Sequence, residues 1–274
     1  MLASGPEAGD VLVFHHGSPG AALLPPGLAE AAAARGLRTV VHSRPGYGDS
    51  SPQPGRRVAD AAADTAVVLD SLGVDTFLTL GWSGGGPHAL ACAALLPDRC
   101  LAAGSVAGVA PYEAFGDAWT VGMGESNATE FGAAVAGRDE LETLLADIER
   151  SDAEAEDVLA QIGDLLSPVD VDAFAAGMGD YHLAGSRHGT RHGTDGWRDD
   201  DLAFVTPWGF DLAEIRVPVV LWHGRQDRAV PFAHGRWLVD HVPGSRGFLT
   251  EEDGHLSLIT RPDVLLDELL DELL

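Results

Sequence analysis

A serine flanked by glycines follows an apolar run in the first third of the chain. Residues 76–80 lead into the string Gly-Trp-Ser-Gly-Gly at 81–85, and Pro87 then falls in the first turn of a helical pattern. The string matches Gly-x-Ser-x-Gly, in which a sharp turn between a strand and a helix exposes the serine hydroxyl. Such a turn needs glycines because its backbone is strained and crowded. Ser83 is therefore predicted to be a nucleophile, against the alternative of a glycine-rich turn without chemistry.

A serine nucleophile needs a base and an acid, and two later loops supply candidates. Of the 11 histidines, His255 is best placed, because it lies between the last strand pattern and the last helical pattern. Asp227 follows another strand pattern and a short loop, and it is the predicted carboxylate that orients the histidine ring. Asp253 competes for this role, but a residue only two positions before His255 is a poor orienting partner.

The loop His-His-Gly-Ser-Pro-Gly at 15–20 is the candidate to supply one of the two backbone N–H donors of an oxyanion hole. Two backbone N–H donors are required, and we assign them to Gly84 and Ser18, with Gly17 permitting close approach. The alternative for this loop is an ordinary turn. The parts together predict attack by Ser83 on a carbonyl carbon, an acyl-enzyme, and its hydrolysis by water that His255 activates.

The elements that would position these residues alternate between strand and helix. Strand patterns cover residues 11–15, 38–42, 76–81, 101–107, 217–222 and 246–249. Helical patterns cover residues 21–35, 57–72, 84–96, 231–242 and 257–274. This alternation predicts βαβ units, and therefore an α/β fold with a mostly parallel sheet flanked by helices.

Residues 111–206 break the alternation, since they are acidic, mostly helical in pattern and without a convincing strand. The stretch is far longer than ordinary connections. We therefore predict a core domain of residues 1–110 and 207–274 that carries a helical insertion of residues 111–206. The tetrapeptide Arg-His-Gly-Thr occurs twice at 187–194, which we interpret as a small duplication in a flexible loop rather than a metal site.

The charge balance excludes several classes of function. The net charge is -25, and all 17 basic residues in the Lys+Arg count are arginine, so lysine-based chemistry is excluded. Such an acidic chain argues against nucleic acid and anionic membranes as partners. No apolar run reaches the ~18 to 20 residues of a membrane helix, and residues 1–10 do not resemble a signal peptide. We expect a cytoplasmic protein that acts on a small ester-like molecule, with no cofactor and no metal.

Five motifs resemble those of the α/β-hydrolase superfamily. They are His-Gly-Ser-Pro-Gly at 16–20, Arg-Pro-Gly-Tyr-Gly-Asp-Ser at 44–50, Gly-Trp-Ser-Gly-Gly at 81–85, His-Gly-Arg-Gln-Asp at 223–227 and Asp-Gly-His at 253–255. The first two look most like the branch of prolyl aminopeptidases, simple carboxylesterases and epoxide hydrolases. The resemblance implies that residues 111–206 are a helical cap over the active site. Prolyl aminopeptidases often have a tryptophan just after the serine, whereas Trp82 precedes it here, which counts against peptidase activity.

The triad and the resemblance together predict a serine hydrolase acting on carboxylic esters. The alternatives are an aminopeptidase or amidase of the prolyl-aminopeptidase type, non-hydrolytic chemistry on the same triad, and a non-catalytic binding protein. The superfamily usually has two strands before the His-Gly loop, so its N-terminal strands are expected to be shortened or missing here. The strand at 38–42 would then have an open edge, which predicts either a homo-oligomer or a covering segment from residues 1–10.

Overall fold

The computed structural model describes residues 1–151 and 162–273, and the centre of this part is a twisted layer of seven strands. The strands are β1 (Leu2–Ser4), β2 (Asp10–His15), β3 (Leu37–Val41), β4 (Phe77–Trp82), β5 (Cys100–Val106), β6 (Val219–Gly224) and β7 (Arg246–Thr250). Their order across the sheet is β1-β3-β2-β4-β5-β6-β7. Only the β1–β3 pairing is antiparallel. The predicted α/β fold with a mostly parallel sheet is thus confirmed.

Helices follow the strands along the chain and cover the sheet. The first three are α1 (Leu28–Ala34), α2 (Asp60–Leu72) and α3 (Gly85–Leu95). Between β5 and β6 lie α4 (Glu125–Ala136), α5 (Arg138–Ser151), α6 (Pro168–Ala173), α7 (Gly179–Gly189) and α8 (Asp195–Phe204). The last three are α9 (Phe232–His241), α10 (His255–Ile259) and α11 (Pro262–Asp271). The division into a core domain and a separate insertion of residues 111–206 stays a prediction.

The sheet is buried on both faces, as the continuous apolar runs of its strands predict. Successive residues of a strand point to opposite faces. Val13 of β2 therefore packs in one cluster with Leu90 of α3. Its neighbour Phe14 packs in a second cluster with Leu28 of α1 and Leu265 of α11. These two apolar layers hold the carboxyl ends of the central strands in a fixed arrangement, and the candidate residues lie at those ends.

The largest differences between predicted and observed helix bounds occur in two helices, and proline explains both. The helix predicted at 21–35 begins only at Leu28, because Pro25 and Pro26 disfavour helical backbone before it. The helix predicted at 257–274 is divided into α10 and α11, with Pro262 at the start of the second. The predicted loop position of His255 is also wrong by a small margin, since this residue opens α10.

The N-terminal residues supply the covering segment that was one of the two predicted alternatives. Strand β1 pairs with the outer edge of β3, with Leu2 opposite Val41 and Ser4 opposite Thr39. A strand of three residues has no periodicity to detect, which is why the sequence did not reveal it. The homo-oligomer remains a prediction.

The duplicated tetrapeptide is not wholly a loop. Its first copy closes helix α7, and Arg191 forms an isolated bridge with Gly193 in the second. Within the described residues, no helix is both long and apolar enough to cross a membrane.

Candidate active site

Ser83 lies at the sharp turn between β4 and α3, in a backbone conformation that serine rarely adopts. Its φ angle is +56°, in the left-handed region, a conformation that costs of order 1–3 kcal/mol and persists only where the surroundings enforce it. Two hydrogen bonds do so, since its N–H donates to the carbonyl of Val106 (2.9 Å) and its carbonyl accepts from Gly86 (2.8 Å). A Cβ atom at Gly85 would collide with the backbone of His15, so this turn requires glycine there. The turn holds Ser83 at the carboxyl end of the sheet.

Asp227 and His255 meet at the same end of the sheet, from the segments after β6 and β7. His255 Nδ1 lies 2.8 Å from Asp227 Oδ2. The other carboxylate oxygen of Asp227 accepts from the backbone N–H groups of Ala229 (2.9 Å) and Val230 (2.7 Å). Both side chains are buried. A carboxylate fixed in this way orients the imidazole ring and favours a proton on Nδ1.

The charge of Asp227 changes the basicity of the His255 ring. Burial alone disfavours the imidazolium, but the attraction and the hydrogen bond from Asp227 outweigh it and raise the pKa of His255 above its ordinary value. Asp253 takes no part in this interaction. Its carboxylate instead accepts from Arg261 (2.5 Å) and Ser257 (3.4 Å).

Ser83 and His255 line one cavity together with Trp82. The Trp82 ring packs against the imidazole, with 5.3 Å between ring centroids, and its Nε1 donates to the His255 carbonyl (3.2 Å). No hydrogen bond joins the Ser83 hydroxyl to His255 among the described residues. The structure therefore brings Ser83 and His255 to the same cavity. A hydrogen bond joins His255 to Asp227, but within the described part of the chain none joins His255 to Ser83. Such bonds are often long in free enzymes and tighten when substrate binds.

The two predicted oxyanion donors are neighbours beside Ser83. A Cβ atom built on Gly84 would lie 3.1 Å from the Cβ of Ser18, and one built on Gly17 would lie 3.4 Å from the Cβ of Ser83. The backbone N–H groups of Ser18 and Gly84 donate to no other backbone group of the described residues. The loop after β2 and the turn after β4 therefore approach as an oxyanion hole requires, and glycine permits this approach.

The sequence did not reveal a buried ionic cluster beneath the Ser18 loop. Asp200 of α8 accepts from Arg44 (2.6 Å), Arg56 (2.6 Å) and the Tyr47 hydroxyl (2.8 Å), and the Ser18 hydroxyl also donates to it. Arg44 donates in turn to the carbonyls of residues 16 (2.5 Å) and 17 (3.1 Å). Burial alone would raise the pKa of Asp200, but the two guanidinium groups hold it well below its ordinary value. The motif at 44–50 was a signal for this cluster, whereas Asp200 was one of 42 acidic residues.

A second carboxylate from the segment before β6 holds the start of α10. Asp170 accepts backbone N–H groups from His255 (2.9 Å), Leu256 (2.8 Å) and Ser257 (3.0 Å). These are N–H groups of the first helical turn, which have no partner within the helix. Ser167 donates to the same carboxylate at 2.9 Å. Asp170 thus fixes the backbone of the residue that presents the imidazole.

The cavity in front of Ser83 has a volume of about 460 Å³ and a mostly apolar wall. Helices α4, α7 and α8 contribute to this wall, so residues between β5 and β6 face Ser83. Its apolar lining includes Val109, Phe131, Leu144, Leu165, Trp197, Phe204 and Val230. Among the described residues, no group of three or more His, Cys, Asp or Glu side chains could hold a metal ion.

Comparison with known proteins identifies the family. The family model of the alpha/beta hydrolase fold matches residues 10–262. A pimeloyl-[acyl-carrier protein] methyl ester esterase of Aromatoleum aromaticum is 30% identical over 73 residues, which cover 26% of this chain and only 29% of that protein. A solved hydrolase from Pseudomonas aeruginosa superposes with a TM-score of 0.72 at 20% identity, covering 99% of this chain and 92% of that one. An enol-lactonase from Burkholderia xenovorans gives 0.66 at 19% identity, covering 99% and 95%. At these identities the two structures show the fold alone.

Proposed function

The chain belongs to the α/β-hydrolase fold family, and we propose that it is a serine hydrolase of carboxylic esters. One observation carries the proposal. The hydrogen-bonded pair of His255 and Asp227 lies at the cavity that Ser83 enters from a strained turn. Three side chains of the required types, in the required chain order, come to this end of the sheet from three separate segments after β4, β6 and β7. The methyl ester esterase that matches part of the chain is consistent with an ester substrate.

The proposed reaction has two halves, acylation of Ser83 and hydrolysis of the acyl-enzyme. In each half His255 takes one proton and then returns it. The Ser83 oxygen attacks the ester carbonyl carbon while His255 Nε2 takes the hydroxyl proton. Asp227 holds the opposite ring nitrogen and stabilises the imidazolium. The N–H groups of Ser18 and Gly84 donate to the oxyanion, and His255 returns the proton to the departing alcohol. Water then attacks the acyl-enzyme in the same way and releases the acid.

The wall of the cavity sets the proposed substrate class. A mostly apolar space of about 460 Å³ accommodates the acyl chain or the alcohol of a small to medium ester. We propose that residues 111–206 act as the cap that selects among such substrates, since Phe131, Trp197 and Phe204 from this segment line the space. The net charge of -25 disfavours strongly anionic substrates.

Hydrolysis of chromogenic esters tests this proposal. We expect turnover of p-nitrophenyl esters over a range of acyl lengths, and loss of at least ~10³-fold in kcat for Ser83→Ala. The variant should unfold at the temperature of the parent protein, because the turn is held by backbone bonds that alanine retains. A parallel series of aminoacyl amides distinguishes an aminopeptidase. Ester hydrolysis that survives in Ser83→Ala above a tenth of the parent rate would contradict the assignment.

A further inference from the structure

Helix α8 carries three consecutive aspartates, and the side chain of each has different neighbours. Successive helix residues are rotated by about 100°, so Asp199, Asp200 and Asp201 point in different directions. The first pairs with Arg198 (2.8 Å), and the second is bound by two buried arginines. Asp201 instead lines the cavity in front of Ser83.

Asp201 is buried there, and Arg56, whose charge also acts on it, forms its ion pair with Asp200 instead. The exposed fraction of Asp201 is 1%, and neither carboxylate oxygen accepts a hydrogen bond from an N–H or hydroxyl group of the described residues. A buried carboxylate without a donor costs more free energy than almost any other single group in a protein interior. Apart from the neighbouring carboxyl group of Glu130, the Asp201 oxygens have no donor among the described residues, so they can accept from a ligand in the cavity.

A second carboxyl group, Glu130 of α4, lies against Asp201 in the same cavity wall. Glu130 accepts from the indole N–H of Trp197 at 2.8 Å. Burial and the mutual repulsion of the two groups raise the pKa of Asp201 well above its ordinary value, and burial raises that of Glu130. Two touching carboxyl groups in a low dielectric share a proton and keep one negative charge between them.

The pair is close to the predicted chemistry. Asp201 lies one helical turn before Phe204, and residues at this spacing are neighbours on a helix surface. The Phe204 ring reaches within 3.0 Å of the point where a side chain on Gly84 would begin. The carboxyl pair is thus separated from the proposed oxyanion hole by about one aromatic side chain.

We propose that Asp201 and Glu130 form a subsite for a protonated amine carried by the substrate. The inference rests on the proposed function of Ser83, and it narrows the substrates to esters with an ammonium group several bonds from the carbonyl carbon. An ammonium group offers three N–H donors, which match the carboxyl oxygens of Asp201 that accept from no N–H or hydroxyl group of the described residues. A divalent metal fits less well, because no third ligand stands beside the pair among the described residues. An anionic group would be repelled.

Matched pairs of esters test the subsite. Each pair compares the p-nitrophenyl ester of an ω-amino acid with that of the fatty acid having the same number of heavy atoms, across several chain lengths at pH 7. At the best length we expect kcat/KM to favour the amino ester by about 10- to 100-fold, the range that a charged hydrogen bond contributes. Asp201→Asn should bring the ratio near 1, and the ratio is independent of any change that affects both esters of a pair alike. Glu130→Gln should lower the ratio in the same direction.

The control variant is Glu125→Gln, which removes an exposed carboxylate from the same cavity. It should leave the ratio unchanged, because solvent screens that charge. If Glu125→Gln lowers the ratio as much as Asp201→Asn, or if the parent protein shows no preference at any length, the subsite does not exist.

A binding measurement separates failure of the subsite from failure of the proposed function. Calorimetry with alkylammonium ions of four to eight carbons, against the corresponding alcohols, needs no turnover. Binding of the ammonium series to the parent protein that Asp201→Asn weakens at least 10-fold supports the subsite even if no ester is cleaved. Cleavage of neutral esters without any preference for ammonium over alcohol overturns the subsite and leaves the hydrolase proposal standing. Should Asp201→Asn melt well below the parent protein, the Glu130→Gln comparison decides.

Discussion

Replacing Asp200 by asparagine should both destabilise the fold and slow the proposed reaction. Asp200 is 0% exposed and is the carboxylate that Arg44 and Arg56 share at 2.6 Å each. The variant leaves two buried guanidinium groups without their counter-charge, and removing one partner of a buried pair costs about 3–5 kcal/mol. For a protein of this size, each kcal/mol lowers the melting temperature by about 2–4 °C. We therefore expect a decrease of roughly 6–20 °C.

The effect on catalysis follows from the contacts of the Ser18 loop. Asp200 accepts the Ser18 hydroxyl, and Arg44 holds the carbonyls of residues 16 and 17, so loss of the charge frees the loop that carries the proposed donor. A displacement of about 1 Å at such a position costs on the order of 10²-fold in rate. We expect kcat to fall by about 10- to 100-fold with little change in KM, because the oxyanion forms only in the transition state.

Denaturant unfolding and steady-state ester hydrolysis, measured on the same preparations, test this prediction. Tyr47→Phe is the matched control, because it removes one neutral donor to Asp200 (2.8 Å) and should cost only about 1 kcal/mol. The pKa of Asp200 is depressed in the fold, so its stabilising charge is present at neutral pH and is lost only as the pH falls below the usual carboxyl range. The difference in stability between parent and variant should therefore persist from pH 7 to about 4. A variant whose free energy of unfolding lies within 1 kcal/mol of the parent protein, with an unchanged kcat, would show that Asp200 neither stabilises the fold nor holds the Ser18 loop.

Three further predictions concern the base and its surroundings. Asp227→Asn should lower kcat on the order of 10⁴-fold, because it favours the wrong tautomer of the His255 ring, whereas Asp253→Asn should lower kcat only slightly. Esterase assays that gave the reverse order would assign the acid role to Asp253. Activity should rise with pH through one ionisation above the ordinary range of histidine, since the pKa of His255 is raised and the base must be neutral. A pH profile that is flat from 5 to 9 would exclude histidine as the base. Asp170→Ala should lower the free energy of unfolding by about 0.5–2 kcal/mol, as loss of a helix cap does, and should also reduce kcat; an unchanged kcat in the destabilised protein would make its role purely structural.

The positions of the candidate triad could be predicted because each follows a strand pattern. Parallel strands bring their carboxyl ends to one edge, so a serine after β4 and loops after β6 and β7 must approach each other. The choice of Asp227 over Asp253 followed from the same geometry, and the structure agrees in pairing Asp227 with the His255 ring. The catalytic roles of these residues remain predictions.

The buried carboxylates of the segment before β6 could not be predicted. Asp170, Asp200 and Asp201 are three of 42 acidic residues, and no local pattern separates them from solvated ones. What distinguishes them is the tertiary packing of α6 and α8 against distant loops, which brings α10 or Arg44 within reach. The predicted start of the helix at 21–35 was wrong for a local reason, since two prolines outweighed the alanine-rich composition of its first residues.

Covalent trapping of the nucleophile shows directly whether Ser83 is the reactive residue. The parent protein should be incubated with a fluorophosphonate and its modified peptide identified by mass spectrometry, beside Ser83→Ala and Asp227→Asn. We expect a single covalent adduct on Ser83, no adduct in Ser83→Ala and much slower labelling of Asp227→Asn, because the hydroxyl reacts only when His255 is correctly oriented. A folded parent protein that takes no label, or takes it at another residue, would contradict the assignment of Ser83 as the nucleophile.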